Sequence, residues 1–229
     1  MKHLPVTPTY TETVLGLGYL GLQLLVLPVA LPMLATFFQT DLSDTQLNFV
    51  FFSLNFVCLC AIMHSFLIKS AKIGFERPFV LLRSAFLAYA VNWVCRFLIT
   101  RLFTHLLPDF SNVNDSSIAQ MVASDYTLNA IGMVLLVPVA EELMYRGLVF
   151  GLLHRTSRFA AYLVSVLVFA AIHVVGYVDS YDPLILLMCL MQYLPAGLCL
   201  AWAYEHSGSI LAPILMHIAV NQTGILSLR

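Results

Sequence analysis

Apolar residues run along this chain in unbroken blocks, not as the one-sided stripe of a helix lying on a soluble core. Several blocks reach the roughly 20 residues that an α-helix needs to cross a hydrocarbon core of ~30 Å. They predict membrane helices near residues 14–38, 46–68, 79–103, 127–151, 159–177, 184–204 and 209–228. The first block is too long for a signal-peptide core and has no clean small-residue cleavage site after it, so it is expected to be retained. Residues 104–126 form the only sizeable polar stretch. No internal repeat is evident. The expected fold is therefore all-α: a polytopic membrane helical bundle of about seven helices, forming a single domain over residues 1–229.

Composition supports this reading. Hydrophobic residues make up 60% of the 229 positions and charged residues 10%, against ~25% charged in a soluble domain. That balance excludes both a solvated globular surface and intrinsic disorder. A formal net charge of −1 with no basic run leaves nothing to hold phosphates, so no nucleic-acid partner is expected. Five cysteines (Cys58, Cys60, Cys95, Cys189 and Cys199) lie inside apolar stretches without a C-x-x-C pair, as expected for free thiols packed as small hydrophobes.

The connecting segments alternate in charge. Lys2, then Lys69, Lys72 and Arg77, then Arg155 and Arg158 mark one side. Asp41 and Asp44, then Asp109, Asp115 and Asp125, then Asp179 and Asp182 mark the other, where Arg101 is the exception. By the positive-inside rule, a multi-pass protein of the cell membrane with a cytoplasmic N-terminus and an outer C-terminus is expected.

Three patterns imitate motifs. Gly16 to Gly21 spells G-x-G-x-x-G, but a dinucleotide site needs a strand before it, and inside a membrane span glycines serve close helix packing. Asn114-Asp115-Ser116 and Asn221-Gln222-Thr223 fit the N-glycosylation pattern; the first is the accessible one, the second lies within an apolar helix. Asn92 and Arg96 share a helix face and read as an interhelical hydrogen bond with an arginine snorkelling to the outer interface.

The residues with chemistry to offer lie further on. Glu141 and Glu142 are adjacent carboxylates in an apolar segment, where a central charge costs about 2.5–3.5 kcal/mol to insert. Glu142 and Arg146 are four apart with the acid first, the favourable order for an intrahelical pair. Glu141 points ~100° away and has no such partner. Pro138 removes one backbone N–H just upstream. Phe169 and His173 share a face of the next segment, and His217 and Asn221 a face of the last. At ~1.5 Å per residue, Glu141, His173, His217 and Asn221 fall roughly 12–21 Å up their segments, bracketing a midplane at ~15 Å. This suggests one shared intramembrane site.

A carboxylate, two imidazoles and an amide suit hydrolysis. Glu141 can take a proton from water, with His173 positioning that water or shuttling the proton. His217 and Asn221 can donate to the oxyanion of a tetrahedral intermediate. Two His and one Glu are also a zinc ligand set, but the H-E-x-x-H spacing is absent and asparagine is not a usual zinc ligand. Metal-free hydrolysis is the preferred chemistry, with no cofactor expected and a zinc-dependent metalloprotease as the alternative.

At these positions the chain resembles the CPBP (Abi) family of intramembrane proteases, which includes the CAAX prenyl endopeptidases and bacteriocin-processing or immunity proteins. Glu141 to Arg146 matches E-E-x-x-x-R, Phe169 to His173 matches F-x-x-x-H, and His217 to Asn221 matches H-x-x-x-N. The run from Tyr204 to Ile210 is also similar to family members. The likeness covers roughly 135–225, expected to be the catalytic core. It implies Glu141 as the catalytic glutamate acting on water with His173, an oxyanion hole of His217 and Asn221, and support from Glu142, Arg146 and Phe169.

The function expected is an intramembrane endopeptidase that cuts a membrane-associated or lipidated peptide or protein, with membrane lipid around it. A non-catalytic bacteriocin-immunity or scaffold protein is the first alternative. A proton-coupled transporter is the second, disfavoured by the lack of paired halves.

Overall fold

The computed structural model describes residues 4–228, and over these it is all-helical, with no strand. Lys2, used above for orientation, lies outside the described residues. Nine helices follow in order: α1 (Tyr10–Phe37), α2 (Asp44–Ile62), α3 (His64–Glu76), α4 (Pro78–Leu106), α5 (Val113–Ser124), α6 (Tyr126–His154), α7 (Arg158–Ile172, continued by a 3₁₀ turn Val175–Tyr177), α8 (Pro183–Ser207) and α9 (Leu211–Leu226). Six of them, α1, α2, α4, α6, α7 (to Tyr177) and α8, are long and apolar enough to cross a membrane.

Two expected spans come out differently. The last apolar block makes a helix of 16 residues, about 24 Å at 1.5 Å per residue and short of a full crossing. The block 46–68 is not one helix: it breaks at Met63 and resumes as α3. Hydropathy runs through the break, which is held from elsewhere. Glu12 completes a capping box with Thr9 at the start of α1, and its second oxygen accepts the Phe66 backbone N–H at 2.7 Å, within the first turn of α3. One carboxylate thus ends the orphan donors of two helices. Helix α3 then turns Phe66, Ser70 and Gly74, spaced by four, into the protein.

Prolines shape α1 and α6 in the same way. Pro28 and Pro138 have no N–H to give, and each is preceded by a widened, π-helical turn, Leu22–Val26 and Gly132–Leu136. The residue just before each proline donates to a carbonyl five positions back: Leu27 to Leu22 and Val137 to Gly132. The widening re-pairs amides that the proline would otherwise disturb.

The most enclosed helices are α6 and α8, half buried over their most apolar 18 residues against 17% for α1 and α2. Helix α8 packs between α4 and α7, α9 lies across α4 and α8, and α6 contacts α2, α7 and α9. Gly197 lets α7 and α8 meet: a Cβ there would sit 3.2 Å from the Val166 backbone. Helix α8 ends at Gly208, whose φ of 72° is the left-handed cap that glycine adopts without strain.

The two ends of the bundle differ in kind. At one end the N-terminal segment meets the α6–α7 turn, where Arg155 donates to the Pro8 carbonyl at 2.7 Å, and Ser209 reaches the Ser70 carbonyl of α3 at 2.7 Å. Lys69, Lys72, Arg77, Arg155 and Arg158 belong to the connections at this end. Glu205 is fixed here by Arg158, His154 and Tyr162. At the other end the polar stretch 104–126 is not a bare loop. It carries α5, capped by Asn112 and docked on α4 and α8.

The motif imitations resolve. Gly16 lies against Leu148, while Gly18 and Gly21 face open space, so one glycine of the three serves packing. The Asn114 amide donates to the Tyr193 hydroxyl at 2.9 Å and so points into the protein, contrary to its reading as the accessible glycosylation acceptor. Arg96 pairs with Asp115 of α5, in the polar stretch after α4. All five cysteines are free.

Candidate active site

Helix α6 brings the paired glutamates to the centre of the bundle just where its winding changes. From Leu143 to Phe150 it is π-helical for 8 residues, a rare form that recurs at functional sites. Glu142 and Arg146 are both fully buried, and Arg146 Nη1 donates to Glu142 Oε1 at 3.0 Å, as the i, i+4 spacing predicts. Arg146 Nη2 continues to the Gly197 carbonyl at 3.2 Å, tying α6 to α8.

His217 of α9 completes this pair. Its Nδ1 lies 2.8 Å from Glu142 Oε1. A carboxylate held by a guanidinium can only accept, so His217 carries its proton on Nδ1 and donates. Its other ring nitrogen, Nε2, then points toward Glu141, 4.0 Å from Oε2. Glu141 keeps 17% of its side-chain surface accessible, yet its Oε2 is buried with no hydrogen-bond partner.

Buried polar atoms are ordinarily paired. Of the five buried side-chain atoms without a partner among the described residues, three belong to this cluster: Glu141 Oε2, Glu142 Oε2 and Arg146 Nε. The unpaired polar capacity of the protein is concentrated here.

Phe169, 2% exposed, is the hub between the charged pair and the second imidazole. The Arg146 guanidinium carbon lies 4.4 Å from its ring centroid. The rings of His173 and His217 lie 4.8 and 5.8 Å away, and that of Tyr145 6.2 Å. The F-x-x-x-H spacing is one helical turn, and it lets His173 Nδ1 donate to the Phe169 carbonyl at 2.7 Å. His173 interacts electrostatically with both Glu141 and His217.

Glu141, Glu142, Arg146, Phe169, His173 and His217 are therefore brought together. Asn221 stands one turn beyond His217, and its Nδ2 donates to the Met133 carbonyl of α6 at 2.7 Å. This bond uses one of the two amide hydrogens. Among the described residues no three His, Cys, Asp or Glu side chains form a set able to hold a metal ion. His217 Nδ1 bonds to Glu142 and His173 Nδ1 to a carbonyl, which leaves Nε2 of each imidazole free of these bonds.

Several contributors have no motif to announce them. The Gly197 carbonyl receives Arg146, and the Met133 carbonyl receives Asn221. Tyr193 of α8 stacks on His173 with centroids 4.2 Å apart and 23° between planes. Only the polarity of Tyr193 within an apolar span sets it apart in the sequence.

Residues 123–223 match the model of a family described as Type II CAAX prenyl endopeptidase Rce1-like. The chain is also 25% identical over 151 residues to the UPF0177 protein YxdF of Lactococcus lactis subsp. lactis (strain IL1403), which covers 65% of this chain and 76% of that protein. No solved structure matches it.

Proposed function

Because residues 123–223 match the model of the Rce1-like CAAX prenyl endopeptidase family, whose members act on peptide substrates, we propose that this chain is an intramembrane endopeptidase. Its substrate is a membrane-associated or lipidated peptide or protein, and its chemistry runs on Glu141. The observation that carries this reading is the contrast between two neighbours: Glu142 is spent on Arg146 and His217, while Glu141 Oε2 is buried and unpartnered.

In this mechanism Glu141 accepts a proton as water attacks the scissile carbonyl carbon. The carbonyl π-electrons move to oxygen, forming the tetrahedral oxyanion. His173, oriented by the Phe169 carbonyl, positions the water. The second Asn221 amide hydrogen, and Nε2 of His217 in the doubly protonated ring, are the donors offered to the oxyanion; a single donor of this kind is worth about 10²–10³ in turnover. Collapse of the intermediate breaks the C–N bond, and Glu141 returns its proton to the leaving amine.

Charge counting supports the same roles. Two carboxylates face one guanidinium in an apolar core, which leaves one negative charge uncompensated. A proton on Glu141 or on His217 Nε2 neutralises the cluster, and those are the two atoms the hydrolysis needs as acid and donor.

The six candidate spans suit a multi-pass protein, and the basic connections at the end shared by α3 and the α6–α7 turn favour a cytoplasmic placement of that end. The test is comparative peptidomics of membranes from cells expressing the wild type or Glu141→Gln at matched levels. New peptides or protein termini found only with the wild type support the protease and name its substrates. Identical profiles, with the variant still complementing a deletion of the gene, would instead support a binding or immunity protein.

A further inference from the structure

Next to His173 lies a layer of polar residues outside all three motifs. Tyr193 is buried, and its ring lies almost flat on the imidazole. Its hydroxyl is held by α5: it donates to Asp115 Oδ1 at 3.2 Å and accepts from Asn114 Nδ2 at 2.9 Å. Asp115 is in turn paired with Arg96 of α4. Helix α5 itself is fastened through its cap, since Asn112 donates to Gln192 at 2.7 Å and Gln192 to Thr100 at 2.9 Å.

Polar groups of α5 thus hold one phenol, whose ring faces one imidazole, and are themselves tied to α4 and α8. A bundle needing only stability has little reason to place an ion pair and three amides here, since a buried pair is often no more stabilising than apolar packing. A side chain whose ring plane must be fixed does have use for such an arrangement. The Phe169 carbonyl holds His173 at one atom and the Phe169 ring meets it at a tilt of 55°; the flat contact of Tyr193 adds a restraint on the plane of the ring.

We propose that Tyr193 is a positioning residue for His173: its ring, anchored to α5 through Asp115 and Asn114, fixes the plane of the imidazole. Helix α5, from the polar connection between α4 and α6, thereby becomes part of the site. The inference rests on the reading of His173 as a participant in hydrolysis, and its test separates the two.

The full-length protein in detergent micelles, carrying isotope-labelled histidine, gives ring-proton resonances for His173 that are assigned by their loss in His173→Gln. Lying over an aromatic face, they are expected upfield of ordinary histidine positions, to return in Tyr193→Leu, and to stay displaced in Tyr193→Phe. In parallel, cleavage of an internally quenched, farnesylated peptide ending in a C-a-a-X sequence is expected to fall by up to about 10²-fold in Tyr193→Leu, the scale of a misplaced catalytic group. Tyr193→Phe, which keeps the ring but loses its anchor to Asp115 and Asn114, should fall between the wild type and Tyr193→Leu, and Tyr193→Leu should cost nothing further on a His173→Gln background.

Ordinary wild-type positions for the His173 protons, or an equal cost of Tyr193→Leu on both backgrounds, would overturn the proposal. The wild-type spectrum decides alone if Tyr193→Leu does not fold. Displaced resonances in a protein that does not cleave the probe would support the positioning and count against the peptidase.

Discussion

His217 and Arg146 donate to the same oxygen of Glu142, from 2.8 and 3.0 Å. In the proposed division of the glutamate pair, Glu142 is the structural member. It joins α6 to α9 through the imidazole, and through Arg146 and the Gly197 carbonyl it joins α6 to α8.

Replacing Arg146 by methionine, similar in shape but uncharged, leaves Glu142 buried without its cation. Breaking a buried pair from one side costs about 3–5 kcal/mol. Arg146→Met is expected to lower the thermal unfolding temperature of the purified protein sharply. Arg146→Lys should recover only part of the loss, because one ammonium replaces a fork that reaches both Glu142 and Gly197.

Gly197 is tested by adding volume. A Cβ already sits 3.2 Å from the Val166 backbone, so Gly197→Val must push α7 from α8 and move the carbonyl that Arg146 uses. Overpacking of this kind costs about 1–3 kcal/mol. Unfolding of the variant should come at lower temperature, with turnover reduced as well.

Phe169→Ala removes the ring that separates and orients Arg146, His173 and His217. A deletion of this size costs about 3–5 kcal/mol where the cavity does not collapse. Phe169→Leu, which fills most of the space, is expected to recover most of the stability and little of the turnover, since only an aromatic ring offers a face to the guanidinium. Unfolding and cleavage measured on both variants check this.

Glu12 is predicted to matter far from the site. Glu12→Ala leaves the backbone N–H groups of Thr9 and Phe66 unpaired, a capping loss of about 0.5–2 kcal/mol. Hydrogen exchange at Phe66 should accelerate, while Glu12→Gln, which still accepts, should protect it.

These residues also show what a sequence can and cannot disclose. The Glu142–Arg146 pair was legible because both ends lie on one helix at a fixed spacing, and the six long spans because lipid demands long apolar runs. The break at Met63 was not, since the Glu12 cap that accommodates it lies 54 positions upstream of the Phe66 amide it accepts from and hydropathy passes through it unchanged. Helix α5 was hidden in a polar stretch that reads as loop, and its purpose appears only when Asp115 meets Arg96 and Tyr193 across the bundle. The partner of His217 was equally out of reach: its turn-mate is Asn221, but its hydrogen bond goes to a residue 75 positions away. Motif spacing reports neighbours on one helix and is silent about the faces that helices turn to each other.

The central claim is a division of labour between two adjacent carboxylates, and measuring Glu141→Gln and Glu142→Gln side by side tests it most directly. Each variant is purified in full, its thermal unfolding recorded, and its turnover on the farnesylated peptide determined per folded molecule. Glu141→Gln is expected to unfold at or above the wild-type temperature, having lost an unpartnered buried charge, and to be inactive. Glu142→Gln is expected to unfold well below it, with Arg146 and His217 deprived of their shared acceptor. Wild-type turnover in Glu141→Gln, or a destabilisation that falls on Glu141→Gln and spares Glu142→Gln, would contradict the account.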